Sequence, residues 1–242
     1  MMNDKIKHSI KAVVFDLDHT LFDRYATLRV LAPVIAEYFR AGLRREVTPE
    51  QLAQVMIEAD RQWVQLGWEV MYEAICHQDI FLIPPSLEGF QGLVFQQFHT
   101  AAVPYPYVRG ILEQLRRNGY RTGLITNGDG FLQRSKLRLL GLEDCFDYVL
   151  ITGDYGTAKP DISVFYHMAD CLDCRTNEML YAGDHPVNDV DASRRAGCIS
   201  VWIRTQGNWC FPEVERARYE LDSVEQIPDL VRKIENCPEP ES

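Results

Sequence analysis

No apolar run in this 242-residue chain approaches the roughly 20 residues that a bilayer-spanning helix requires, so no membrane association is expected. The first ten residues, MMNDKIKHSI, lack the apolar stretch of a secretory leader, and a cytoplasmic location is the default expectation. Positive charge is also in short supply. Lysine and arginine number 25 against 35 acids, a net charge of -10, and no long basic block occurs. Such a surface repels polyanions, which argues against a nucleic-acid partner. The seven cysteines are odd in number and scattered, so they outline no disulfide framework and are expected to be reduced. CLDC at 171–174 has the spacing of a metal or redox pair, but neither a second pair nor a nearby histidine pair accompanies it. Internal repeats are absent, and the one biased stretch is a short polar tail, NCPEPES. What remains, 46% apolar and 25% charged, is the composition of an ordinary globular protein of one large or two modest domains.

Short, near-continuously apolar runs recur along the chain: KAVVFD (11–16), RTGLIT (121–126), YVLIT (148–152), MLYAG (179–183) and ISVWI (199–203). Continuous rather than alternating apolarity marks strands covered on both faces, as in a parallel sheet. Helical patterns with readable ends lie between them. VRGILEQLRRNG closes on Gly119 and GFLQRSKLRLLG on Gly141, each placed for a left-handed C-cap. PDISVFYHMADCL offers Asp161 as N-cap and sets Val164, Phe165, Met168 and Leu172 on one face. Strands alternating with helices predict an α/β, doubly wound, parallel-sheet Rossmann-like core. From about Arg24 to His99 the rhythm changes to helical patterns alone, one of them opened by a Thr48/Gln51 capping box around Pro49. The expected organisation is a core of residues 1–22 and 104–242, with an inserted α-helical bundle at 23–103.

In parallel α/β sheets ligands bind beyond the carboxyl ends of the strands, so the chemistry is expected at those ends. The first strand ends in Asp16-Leu17-Asp18 and the second in Thr126-Asn127-Gly128. Lys159 stands in the loop after the third, and GDHPVND after the fourth carries Asp184 and Asp189. Clustered carboxylates without histidine or cysteine partners suit a hard, oxygen-seeking cation, and beside a phosphate that cation is usually Mg2+. An aspartate held against the cation is a nucleophile toward phosphorus. Lys159, the Thr126 hydroxyl and the amides of the Asn127-Gly128 turn can hold phosphoryl oxygens.

FDLDHTLFD, LITNG, AKPD and GDHPVND resemble, in that order, the four motifs of the haloacid dehalogenase-like hydrolase superfamily. The resemblance spans essentially the whole chain, because the helical insert matches the family's cap domain. It implies Asp16 as the nucleophile that becomes an aspartyl-phosphate and Asp18 as the acid, then base. Thr126, Asn127 and Lys159 follow as phosphate binders. The implied Mg2+ ligands are Asp16, Asp184, the backbone carbonyl of Asp18 and, as a direct or outer carboxylate, Asp189. Position 19 is His where many relatives carry Gly.

Within the family, dehalogenases lack the second aspartate, and phosphonate-cleaving members replace it and use a cap lysine. This chain keeps Asp18 and has no lysine between Arg24 and His99. A phosphatase of a small phosphate ester is the expected function. A phosphosugar mutase keeps both aspartates but needs a second phosphate site, for which the insert offers arginines 24, 29, 40, 44, 45 and 61. A phospho-aspartate signalling receiver would be about half this length and would lack the insert. Trp63, Trp68, Tyr72, Phe81, Phe90, Phe95 and Phe98 are expected to be mostly bundle core, and the QLGWE turn (65–69) to face the substrate. An aromatic on the site side would favour a nucleoside monophosphate, with sugar or polyol phosphates next. Either a monomer or a homodimer fits the sequence.

Overall fold

The computed structural model describes residues 10–63, 66–206, 209 and 211–236. Among these residues eight strands and ten α-helices follow one another, beginning β1 (Ala12–Phe15), β2 (Phe22–Asp23), α1 (Arg24–Tyr38), α2 (Pro49–Trp63), α3 (Trp68–Cys76), α4 (Leu87–Ala101), β3 (Val103–Pro104) and α5 (Val108–Arg117). There follow β4 (Arg121–Thr126), α6 (Gly130–Leu139), β5 (Tyr148–Ile151), α7 (Thr152–Tyr155), α8 (Ser163–Cys171), β6 (Met179–Gly183), α9 (Ala192–Arg195), β7 (Ile199–Ile203), β8 (Tyr219–Leu221) and α10 (Ile227–Asn236).

Six strands form one parallel sheet in the order β5-β4-β1-β6-β7-β8. All four residues of β1 are buried, as the continuous apolar run requires of a central strand. Successive side chains point to opposite faces. Val13 and Phe15 join the larger core with α5, α10 and the insert, whereas Ala12 and Val14 pack with Val164, Phe165 and Met168 of α8. From β1 the chain builds outward through β4 and β5, then returns to place β6 on the other flank of β1. That reversal opens a crevice at the carboxyl ends of β1 and β6.

The local signals in the sequence act where they stand. Gly119 and Gly141 take φ of 90° and 66° directly after the C-caps of α5 and α6. The Thr48 hydroxyl accepts from Gln51 N at 3.2 Å while Gln51 Oε1 accepts from Thr48 N at 2.9 Å. Helix α8 begins at Ser163, two residues after the expected cap. Asp161 nonetheless accepts the Ser163 N–H at 2.8 Å. The third expected strand stops at Ile151, because Thr152 opens the short helix α7.

Two features escaped the sequence patterns. The edge strand β8 is three half-buried residues with no apolar run. Where the chain leaves and re-enters the α/β layer, β2 pairs antiparallel with β3, Phe22 opposite Pro104 and Asp23 opposite Val103. Helices α1 to α4 lie between those crossings, α1 against α2 and α4, α3 against α2 and α4, with α4 seated on α6 of the core. Among the described residues no helix is long and apolar enough to cross a membrane.

Candidate active site

Beyond Phe15 the ladder continues one residue, Asp16 N donating to Ala182 O at 2.9 Å, and then the chain turns back through Leu17 O, which accepts from Leu21 N at 2.9 Å. This turn lifts Asp16 to the sheet rim beside Asp184, which follows β6 directly. Asp189 arrives from the π-type turn Pro186–Asp191. Any side chain at Gly183 would collide with it, since an added Cβ would lie 2.4 Å from Asp189 Cγ. Oxygen atoms of Asp16, Asp184 and Asp189 all fall within 4.8 Å of one another, and all three residues are buried.

Lys159 Nζ donates to Asp16 Oδ1 at 2.7 Å, Asp189 Oδ1 at 2.6 Å and the Tyr181 hydroxyl at 2.9 Å. The three clustered carboxylates thus have one ammonium among them, bonded to Asp16 and Asp189 but not to Asp184, and if all three are ionised they exceed it by two negative charges. The electrostatics follow from that imbalance. Burial, reinforced by Asp189 and Asp18 against the pull of Lys159, pushes Asp16 up to about 7. Burial and the carboxylates of Asp16 and Asp189 push Asp184 well above the usual carboxylate range. Asp189 is held low despite its burial, because Lys159 and the His185 backbone N–H address it directly. A compact set of hard oxygen donors short of two positive charges fits a small divalent cation.

Asp18 stands outside this cluster. Lys136 Nζ donates to both its oxygens, at 2.7 and 2.9 Å, Gln133 Nε2 donates to Oδ2 at 3.0 Å, and Arg24 Nη1 lies 3.5 Å from Oδ1. Burial works upward on its carboxyl, but Lys136 and then Arg24 outweigh it and bring it down to about 2. Gln133 Nε2 also donates to Thr126 Oγ1 at 2.6 Å, tying the expected phosphate-binding hydroxyl to Asp18. The Asn127 side chain is engaged elsewhere: its amide donates to Lys159 O at 2.9 Å and accepts from Lys159 N at 3.0 Å. It clamps the backbone that carries the lysine.

A cavity of about 380 Å³ joins these groups. Its floor is the acid cluster with Thr126 and Lys159; its roof comes from the insert through Arg24, Trp68, Phe95 and Phe98. Of the seven aromatics expected in the bundle core, Phe81, Phe90 and Phe98 are buried, while Trp68 and Phe95 meet edge to face at the cavity wall, 4.9 Å between centroids. Within the expected QLGWE turn, Gln65 lies outside the described residues, and Gly67 and Trp68 open α3.

Gln133, Lys136, Arg24 and Tyr181 were not singled out from the sequence as site residues. One signal was available for α6: its inward positions 130, 133, 136 and 137 include a glutamine and a lysine where a core helix would carry apolar side chains. Arg24 was one of six insert arginines with nothing to distinguish it. The cysteines of CLDC are free, and among the described residues the one potential metal cluster is the aspartate trio.

Comparison with known proteins agrees with this architecture. The model of the haloacid dehalogenase-like hydrolase family matches residues 13–203. A glyceraldehyde 3-phosphate phosphatase of Methanopyrus kandleri is 27% identical over 93% of this chain and 98% of its own length. A phosphoglycolate phosphatase of Yersinia pestis is 28% identical over 78% of this chain and 79% of its own. In fold, the magnesium-bound HAD-hydrolase YfnB of Bacillus subtilis superposes with a TM-score of 0.72 at 18% identity, covering 92% of this chain and 99% of that one. The chain belongs to the haloacid dehalogenase-like hydrolase family, and it is an enzyme.

Proposed function

We propose that the enzyme is a Mg2+-dependent phosphatase that hydrolyses a small phosphorylated metabolite through an aspartyl-phosphate on Asp16. The observation that carries this reading is the pairing of a buried, cation-deficient aspartate cluster with a second aspartate, Asp18, at the rim of the same cavity. Similarity to named phosphatases over 78–93% of the chain supports it, and the enzyme is read as a phosphoric monoester hydrolase.

In the proposed cycle Asp16, freed of its proton once the cluster is neutralised, attacks phosphorus through a carboxylate oxygen. Asp18, ionised in the free enzyme, takes the acidic proton of a monoanionic ester and passes it to the departing ester oxygen. Water then attacks the phosphoryl group, Asp18 takes the proton, and phosphate leaves with Asp16 restored. Lys159, the Thr126 hydroxyl and the backbone amide of Asn127 hold the phosphoryl oxygens. Asp16, Asp184, Asp189 and the Asp18 carbonyl would hold Mg2+, which neutralises the carboxylates and the phosphoryl charge when bound. The insert serves as a cap that roofs the cavity, keeps bulk water out and selects the leaving group.

A nucleoside monophosphate is the first substrate candidate, because Trp68 and Phe95 offer a ring-faced wall to a base. A triose or polyol phosphate is the second, on the similarity to the Methanopyrus enzyme. The mutase alternative is disfavoured: of the six insert arginines only Arg24 lines the cavity, and Arg44 pairs instead with Asp79 at 2.6 Å.

The test is a screen of purified enzyme against a phosphometabolite panel, with Mg2+ and with EDTA. Turnover should require Mg2+ and return on its re-addition. Asp16→Asn should abolish both phosphoenzyme and turnover. Asp18→Asn should lower turnover by about 10² or more and accumulate phosphoenzyme from p-nitrophenyl phosphate. Full activity after metal stripping, or in Asp16→Asn, overturns the proposal.

A further inference from the structure

Asp60 lies in the last turn of α2 and is fully buried. A carboxylate so placed is tolerated only with a firmly held counter-charge. Asp60 Oδ1 accepts from Arg24 Nε at 3.0 Å. The Arg24 guanidinium lies over the Phe98 ring, 4.6 Å from its centroid, with Trp68 at 5.9 Å, so its plane is pinned by α3 and α4 as well. Its Nη1 is the group 3.5 Å from Asp18 Oδ1. The other oxygen of Asp60 lies 3.0 Å from His19 Nε2, and neither atom has a hydrogen bond of good geometry. His19 follows Asp18 directly and holds a left-handed φ of 64°, a conformation that a non-glycine residue keeps only under constraint. One buried carboxylate of the cap therefore touches both flanks of the Asp18 turn.

We propose that Asp60 is a positioning residue: from the cap it fixes Arg24, and through Arg24 the carboxylate of Asp18, so that Asp18 is fully assembled only while the cap is seated on the core. Lys136 and Gln133, both on α6, hold Asp18 from the core side. Asp60 and Arg24 supply the half of the clamp that travels with the cap. Proton transfer at Asp18 is then coupled to roofing of the cavity, which is when bulk water is excluded. This inference rests on Asp18 being the proton donor of the proposed reaction.

The experiment follows phosphoenzyme formation by rapid quench, from an alkyl phosphate and from p-nitrophenyl phosphate. The alkoxide needs a proton to leave, while p-nitrophenolate needs little. Asp60→Asn keeps size and shape while removing the charge that holds Arg24. It should slow the alkyl ester by about tenfold or more and the nitrophenyl ester at least about threefold less. Asp60→Asn combined with Arg24→Gln should be no slower than Arg24→Gln alone, because the two act in series. Asp60→Glu should restore part of the lost rate. Equal losses for both esters, or losses that multiply in the double variant, reduce Asp60 to an ordinary structural ion pair and overturn the inference. If Asp60→Asn does not fold, Arg24→Gln alone must show the same leaving-group dependence, and its absence is equally fatal. An Asp18→Asn enzyme without leaving-group dependence would instead overturn the proton-donor assignment itself.

Discussion

At Asp16, burial and two neighbouring carboxylates hold the proton on to about pH 7, while two residues on, Lys136 and Arg24 overcome burial and strip Asp18 down to about 2. The difference is one of counter-charge supply. Asp18 has an ammonium on both oxygens, whereas Asp16 shares Lys159 with Asp189 and faces Asp184. This has a consequence for stability. An unfolded aspartate titrates near about 3.9. Between there and pH 7 the folded, metal-free protein binds more protons than the unfolded chain, because Asp16 and Asp184 are raised. Stability must then fall as pH rises through that window. The lowered groups Asp18 and Asp189 contribute above their unfolded range and lose that contribution only in stronger acid. Melting temperature in EDTA should therefore drop from pH 5 to pH 8, and excess Mg2+ should raise it more at pH 8. A flat or rising profile in EDTA would contradict the charge surplus assigned to the cluster.

Among the elements, β1, β6 and α6 do the positioning. The two central strands end side by side, so consecutive loops deliver Asp16 and Asp184 to one place on the rim. Helix α6 starts at the carboxyl end of β4, where Asp129 caps it by accepting from Leu132 N at 3.0 Å, and lays Gln133 and Lys136 along the cavity one turn apart. Lys159 depends on a different device, the amide of Asn127 bonded twice to its backbone. Asn127→Ala removes both bonds, each worth about 1 kcal/mol, while leaving the Asn127 backbone amide in place. A melting temperature lower by about 4–8 °C is expected. Turnover should fall with it, because the ammonium loses its anchor. Unchanged turnover at lowered stability would mean that β5 and the following loop hold Lys159 unaided.

For the whole molecule, the decisive arrangement is a helical insert that leaves the α/β layer at one strand crossing and returns at the next. The antiparallel β2–β3 pair brings both crossings together, and α4 rests on α6, so the roof of the cavity is carried by the insert and its floor by the sheet. On the proposed function, substrate choice belongs to the roof. Trp68→Ala should reorder the ranking of phosphate esters, with those bearing large leaving groups losing most and a small generic ester least. Parallel kcat/KM measurements over a panel read this directly. A uniform loss with a lowered melting temperature would assign Trp68 to packing alone.

The sequence by itself determined the α/β class, the helical insert and the rim residues Asp16, Asp18, Thr126, Lys159, Asp184 and Asp189. Those features rest on short-range physics: apolar runs that must be covered, glycine at left-handed caps, and a parallel sheet that puts every strand's carboxyl end on one edge. Only the tertiary structure decided how the two carboxylates of the first motif differ. Arg24 meets Asp60 across 36 residues, Lys159 meets Asp16 across 143, and Lys136 meets Asp18 across 118. The same holds for the Asn127 side chain, whose partner, the Lys159 backbone, lies 32 residues away. No spacing in the chain encodes such pairs, because they are set by how α2 and α6 dock around the turn after β1.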